Sequence, residues 1–386
     1  MTTSRRHTGV AVGAVLALSM LGGCASQPAG SAVDPGRAAV APTGAPKTKA
    51  SKPSARPQPA SREYRAVAVT GDFAGDPDVD RFIGRMNDGH GFSREYLAGV
   101  LSQAERKQWI LDQLDRDRPT GAPPRPGGWS RYREKFLTDR HIAGGVEFWR
   151  ENARELERAA RKYGVPPEYI VGIIGVETFY GRITGTFRVL DALSTLAFDY
   201  PPRSSYFRGE LEQFLLLSRE EDVPPLTVKG SYAGAMGYPQ FMPRSYRAYA
   251  VDGDGDGRRD LWNSWDDVIA SIANYLAAHG WRGGEPVLAA ADLPWPDDSV
   301  DLVAGSITAN ETVGSLRHKG LVFESSMPEE APAVFIEVAG SEGPERLAGF
   351  HNFSVITRYN RSVLYALAVN ELGLAAAARL PTAESP

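Results

Sequence analysis

The 386-residue chain has one cysteine, no surplus of basic charge, and no long apolar segment beyond its first two dozen residues. A single cysteine excludes an intramolecular disulfide and a thiolate metal cluster. The formal net charge is −4, from 43 basic and 47 acidic side chains. That leaves no cationic field of the kind nucleic acid selects, so no nucleic-acid partner is expected. No later stretch reaches about 18 uninterrupted apolar residues, so the body of the chain should hold no transmembrane helix. What remains is an ordinary globular balance, 42% hydrophobic and 23% charged. It is enough for one large domain or two smaller ones.

The lone cysteine is well placed to inform. Arg5 and Arg6 precede an apolar run from Val10 to Leu21, and Gly22, Gly23 and Cys24 follow. A basic start, a short apolar run and small residues at a break point describe an export signal. The run is too short to cross a bilayer comfortably. Leu21-Gly22-Gly23-Cys24 resembles a bacterial lipobox, which implies an acylated Cys24 as the mature amino terminus. An ordinary signal peptide with an incidental cysteine is the alternative. Residues 25–62 are rich in Ala, Pro, Ser, Gly and Lys and lack aromatics. Such a segment cannot bury enough surface to offset its ordering entropy. It reads as a tether with a reach on the order of 30–35 Å. The expected organisation is a signal at 1–24, a tether at 25–62 and a folded domain at 63–386.

Helical periodicity starts near Asp78, where Phe82, Ile83 and Met86 share a face, and resumes after Ser93 as an N-cap. Gly121–Gly128 reads as a Pro/Gly loop. Gly144–Tyr163 reads as one long amphipathic helix, ended by Gly164 and Pro166-Pro167. A helix from Pro167 to Glu177 is apolar nearly all round, hence buried. Further helices are expected at about Asp191–Phe198, Phe207–Ser218, Asp267–His279 and Arg361–Ala378. Short β-type runs such as Val334–Val338 fill the interval 286–350. The fold class expected is mainly α with α+β character.

Glu177 ends the apolar run Ile170–Val176. Desolvation there raises a carboxyl pKa, and the negative end of the helix dipole acts the same way. Both effects keep a proton on the group near neutral pH, as a general acid requires. A structural reading stays open: a glutamate exposed on the last turn, or one paired with Arg182 or Arg188.

Three segments carry a resemblance: Tyr163–Thr178, Asp191–Phe198, and Gly230–Pro243 with its sequence Gly-Ser-Tyr-Ala-Gly-Ala-Met-Gly-Tyr-Pro-Gln-Phe-Met-Pro. In this order they closely resemble the lytic murein transglycosylases of the B type, and the likeness runs from about Phe82 to Leu374. The resemblance implies a lysozyme-like helical core with peptidoglycan glycan strands as substrate. It implies Glu177 as a single acid/base that first protonates the glycosidic oxygen between N-acetylmuramic acid and N-acetylglucosamine. The carboxylate then takes the proton of the muramic C6 hydroxyl as a 1,6-anhydro ring closes. Glycoside hydrolysis generally uses two carboxylates. Asp191 and Asp199 are near Glu177 in sequence and leave a hydrolytic muramidase as an alternative, although Asp191 reads as a helix N-cap and Asp199 as the end of that helix.

Substrate-site residues implied by the resemblance are Tyr132, Arg203, Ser231, Gln240, Tyr275, Tyr359 and Asn360. They are sugar-binding types, with aromatic faces for pyranose rings and amide or hydroxyl groups for polar substituents. A core role for Tyr275 and a turn role for the Gly-rich loop stay open. Two departures are visible: Pro202-Arg203 stands where the family often has two adjacent arginines, and Pro239 where glycine is common.

Asp252-Gly253-Asp254-Gly255-Asp256-Gly257-Arg258 opens a loop of the EF-hand type. Carboxylates at positions 1, 3 and 5 and the Arg258 carbonyl at position 7 would wrap a hard cation. Position 12 is Asn263, so the usual closing glutamate is missing. The resemblance implies a longer loop closed by Asp267, with Asp266 second, and Ser264 and Asp267 forming a capping box. A structural calcium ion is expected, stabilising the fold rather than performing chemistry because nothing in the sequence places this loop beside Glu177, with no cofactor for catalysis; a solvated acidic turn is the alternative. An inactive wall-binding lipoprotein that scaffolds cell-wall synthesis machinery is the remaining non-enzymatic reading.

Overall fold

The computed structural model describes residues 64–116, 127–293 and 306–381. The export signal, Cys24, the tether and most of the Gly121–Gly128 loop lie outside them. The chain opens with α1 (Pro77–His90), α2 (Arg94–Leu101), α3 (Gln108–Arg116) and α4 (Gly128–Arg133). Val79, Phe82, Ile83 and Met86 are the buried face of α1, and Ser93 Oγ caps α2 by accepting the Tyr96 N–H, as expected.

The expected long helix is two, α5 (Asp139–Glu151) and α6 (Ala153–Tyr163). Asn152 breaks it, with φ −116° and ψ 26°. Its amide side chain donates to the Phe148 carbonyl at 2.9 Å, the acceptor its own backbone N–H uses at 3.0 Å. Such local competition is how asparagine interrupts helices.

α7 (Pro167–Thr178) follows, with Pro167 in the first turn where no N–H is needed. Every residue from Tyr169 to Thr178 is buried. Its partner is the late helix α14 (Val363–Ala378), buried from Tyr365 to Asn370 and again at Leu372, Gly373 and Ala376. Glycines allow the close approach: a Cβ on Gly172 would strike the Val369 carbonyl, and one on Gly373 the Glu168 carbonyl. These contacts run antiparallel, so the start of α14 is set against the end of α7.

Around this pair lie α8 (Val189–Asp199), α9 (Ser204–Glu220), α10 (Pro243–Tyr249) and α11 (Trp265–Ala278), with a small ladder of β1 (Phe187–Arg188) and β2 (Lys229–Gly230). The late β portion is a five-stranded antiparallel sheet ordered β4-β6-β7-β3-β5. Its strands are β3 (Leu288–Asp292), β4 (Glu311–Thr312), β5 (Val322–Phe323), β6 (Pro332–Ala339) and β7 (Pro344–Phe350). β6 is buried on both faces. Val334 and Ile336 join the main core; Ala333 and Phe335 join a small second cluster with α12 (Val313–His318). A helix absent from the sequence reading, α13 (His351–Tyr359), links the sheet to α14.

Candidate active site

Glu177 is 4% exposed. α7 ends just beyond it in two successive left-handed residues, Phe179 (φ 50°) and Tyr180 (φ 57°), whose N–H groups return to the carbonyls of Gly175 and Ile174. Non-glycine residues adopt this conformation at a cost, and a pair of them at a helix end marks a fixed, strained turn. Tyr365 on α14 donates its hydroxyl to Glu177 Oε1 at 2.8 Å. Oε2 makes no hydrogen bond among the described residues.

Burial pushes the Glu177 pKa up from 4.5 to about 8, against the Tyr365 hydrogen bond, which favours the carboxylate. Burial and the charge of Glu177 in turn hold the Tyr359 and Tyr365 phenols well above their ordinary range. Tyr132 is raised for the same two reasons. The acid therefore faces phenols that stay protonated. Tyr365 was not singled out from sequence. Its one signal is a tyrosine in the buried stretch of a mostly apolar helix, where the hydroxyl must find a partner.

The structural alternative, Glu177 paired with Arg182 or Arg188, does not occur. Arg182 bonds Glu147 at 3.1 Å, and Arg188 bonds Asp191 at 2.7 Å. Asp191 is not the N-cap of α8; Arg188 holds that position, and Asp191 sits one turn in. There it accepts the Glu105 N–H and the Arg188 guanidinium. Asp199 ends α8 as expected and is clamped by Arg106 at 2.8 and 3.0 Å. Neither aspartate contributes to the Glu177 shift.

A cavity of about 440 Å³ brings together Arg203, Gln240, Tyr275, Tyr359 and Asn360, five of the seven expected substrate residues. Glu177 does not line it; Tyr359 does, and it connects the two through their electrostatic contact. Tyr275 packs edge-on to Tyr359 with ring centres 4.8 Å apart, and Tyr359 stacks on Tyr365 at 6.4 Å. The Tyr275 and Tyr359 hydroxyls donate to the Arg358 and Pro239 carbonyls, both at 2.6 Å. Gln240, at φ 50°, donates to the Thr184 and Gly237 carbonyls. Ser231 and Tyr132 are not part of the cavity lining. Ser231 Oγ accepts the N–H groups of Ala233 and Ala235 and shapes the Gly-rich loop. Tyr132 stacks on Trp129 at 6.5 Å.

In the acidic loop, oxygens of Asp252, Asp254 and Asp256 lie within 4.8 Å of one another. Asp267 is 1% exposed, and both its oxygens turn into the loop, accepting from Gly253 at 2.7 Å and Asp260 at 2.6 Å. Burial raises its pKa, and the charges of Asp254 and Asp252 add to the rise. Asp266 instead pairs with Arg158. Ser264 caps α11 by accepting the Asp267 N–H at 3.3 Å, but Asp267 does not complete the reciprocal half of a capping box. Three carboxylates around one point, with a fourth buried behind them, match the oxygen-rich donor set of a hard cation. The loop does not stand apart from Glu177. The Leu261 carbonyl accepts the Tyr238 N–H at 2.9 Å, and the Tyr238 carbonyl accepts from Thr178 Oγ1 at 3.1 Å, beside the acid.

A lysozyme-like helical core that keeps one carboxylic acid protonated, with the nearby aspartates engaged elsewhere, is the design of a transglycosylase rather than of a two-carboxylate hydrolase. The chain belongs to that family: residues 74–374 match the transglycosylase SLT domain. It is 44% identical over 319 residues to the membrane-bound lytic murein transglycosylase B of Escherichia coli K12, covering 82% of this chain and 87% of the relative. Among solved structures it resembles the E. coli lytic transglycosylase SLT35 in complex with bulgecin A, with TM-score 0.74 and 43% identity. The same enzyme in complex with calcium superposes with TM-score 0.73 and 43% identity. Each covers 84% of this chain and 99% of the solved chain.

Proposed function

We propose that this chain cleaves the glycan strands of peptidoglycan without water, with Glu177 as its only acid/base. One observation carries the reading: a buried acid whose pKa is pushed up to about 8, tied at Oε1 by Tyr365 and open at Oε2. Oε2 gives its proton to the oxygen joining N-acetylmuramic acid to N-acetylglucosamine, and the C1–O bond breaks. Tyr365 steadies the carboxylate that forms. The muramic O6 then bonds to C1, its proton passes to Glu177, and a 1,6-anhydro end remains with the acid restored. Among the described residues no second carboxylate acts on Glu177, so the sugar's own hydroxyl takes the part that a bound water has in hydrolysis. Arg203, Gln240, Tyr275, Tyr359 and Asn360 bind saccharide in the cavity, Tyr132 stands near the acid, and Ser231 holds the loop between them.

Asp252, Asp254, Asp256 and Asp267, with the Arg258 carbonyl, hold a calcium ion that stabilises the fold. The family implies a cell-envelope location. No helix among the described residues is long and apolar enough to cross a membrane, and an acylated Cys24 supplies the anchor. Digestion of purified sacculi tests the reaction. Mass spectrometry should find 1,6-anhydro ends, and Glu177→Gln should abolish their release while still binding murein. Reducing ends from the wild type, or undiminished release by the variant, would sink the mechanism.

A further inference from the structure

Three residues past Glu177 stands a tyrosine held as firmly as the acid itself. Tyr180 is 7% exposed, and its hydroxyl is buried with no hydrogen-bond partner among the described residues. A buried orphan hydroxyl destabilises the fold, so this ring is kept for its shape and place rather than for its polar end. The place is a socket of three glycines. A Cβ on Gly145 or on Gly175 would stand 2.6 Å from the Tyr180 hydroxyl oxygen, and one on Gly144 would stand 3.1 Å from the ring. The first two would also strike α14, at Ala376 from Gly145 and at Leu372 from Gly175. Phe148 closes the socket, stacked on Tyr180 with ring centres 5.6 Å apart. Gly144, Gly145 and Phe148 belong to α5, and Gly175 to α7. The ring is therefore a wedge where three helices meet. Glycine weakens a helix relative to alanine, and the chain accepts that at three positions to seat one side chain.

Two links join the wedge to the acid. Tyr180 is the second of the left-handed pair that ends α7, and its N–H returns to the Ile174 carbonyl at 3.3 Å. The ring and the last turn of α7 thus move together. Leu372 shares α14 with Tyr365, whose hydroxyl bonds Glu177. The separation of α14 from α7 at the socket accordingly sets the reach of that bond. We propose that Tyr180, seated on Gly144, Gly145 and Gly175, is a positioning residue for the reaction: it fixes the strained end of α7 and the α7–α14 spacing, so that Glu177 stays buried and in reach of Tyr365. It touches no substrate. The inference rests on the reading of Glu177 as the acid/base.

Tyr180→Leu underfills the socket and Gly145→Ala crowds it. Release of 1,6-anhydro ends from sacculi is measured for each across pH, at a temperature where circular dichroism shows the variant folded. When the wedge gives way water reaches the carboxyl, and burial is the larger of the two influences on it. The alkaline limb of kcat/KM should then move down by about one pH unit or more, and kcat should fall about tenfold. KM should change little, because the socket shares no residue with the saccharide cavity. Tyr180→Phe keeps the ring and should restore the wild-type profile. Gly144→Ala, the milder intrusion, gives the same reading if the other variants fold poorly. Folded variants with an unmoved limb and full kcat would overturn the proposal and leave Tyr180 as core packing alone. A wild type that releases no 1,6-anhydro ends would instead remove the reading of Glu177, whatever the variants do.

Discussion

Replacing Glu177 by glutamine should stabilise the protein, by an amount that grows with pH. The carboxyl titrates at 4.5 when exposed and at about 8 in the fold. Below 4.5 folded and unfolded chains both hold the proton, and the group imposes no penalty. As pH rises above that, the unfolded chain releases its proton while the folded one keeps it. Each pH unit then costs the folded state about 1.4 kcal/mol. The penalty is thus absent at low pH and grows as pH climbs toward 8, reaching roughly 3 kcal/mol by pH 7. Glutamine keeps the shape, accepts the same Tyr365 hydroxyl and never ionises. Urea unfolding of both proteins at a series of pH values would give two curves that meet near pH 4.5 and diverge upward. Parallel curves would show that Glu177 is solvated like a surface acid, and the reasoning about its proton would fail.

Other outcomes follow from the same geometry. Tyr365→Phe removes the hydrogen bond that favours the carboxylate, so the alkaline limb of the kcat/KM profile should move up by about one pH unit; an unmoved limb would deny the contact any influence. Added calcium should raise the melting temperature, chelator should reverse the rise, and Asp254→Ala should abolish it. A melting curve indifferent to the ion in the wild type would favour a plain acidic turn. Cys24→Ser should move the protein from the membrane to the soluble fraction and abolish labelling by a radioactive fatty acid; a variant still sedimenting with membranes would exclude the anchor.

The sequence revealed elements whose cause is local. α7 was legible because proline opens it and an unbroken apolar run forbids any surface position, and Glu177 stood out as the charge that ends that run. α1 and the cap at Ser93 were legible for similar reasons. What escaped depends on partners far away in the chain. The break at Asn152 leaves the apolar phase of α5 and α6 intact, so periodicity alone could not find it. Tyr365 lies 188 positions from the acid it touches, and only the glycine-mediated approach of α14 to α7 joins them. Asp191 reads as a cap because aspartate often is one, yet the fold spends it on Arg188 and the Glu105 N–H. Arg244 and Arg361 meet at the cavity only because α10 and the turn after α13 are folded together, and each alone reads as an ordinary surface cation.

The handhold at Tyr238 ties heat tolerance to bond breaking. Its amide hangs from the acidic loop and its carbonyl steadies the last residue of α7, so slack in the one becomes misalignment in the other. Removal of the proposed calcium ion should therefore cost turnover at temperatures where most of the helices are still intact, the failure starting from this corner rather than from the core.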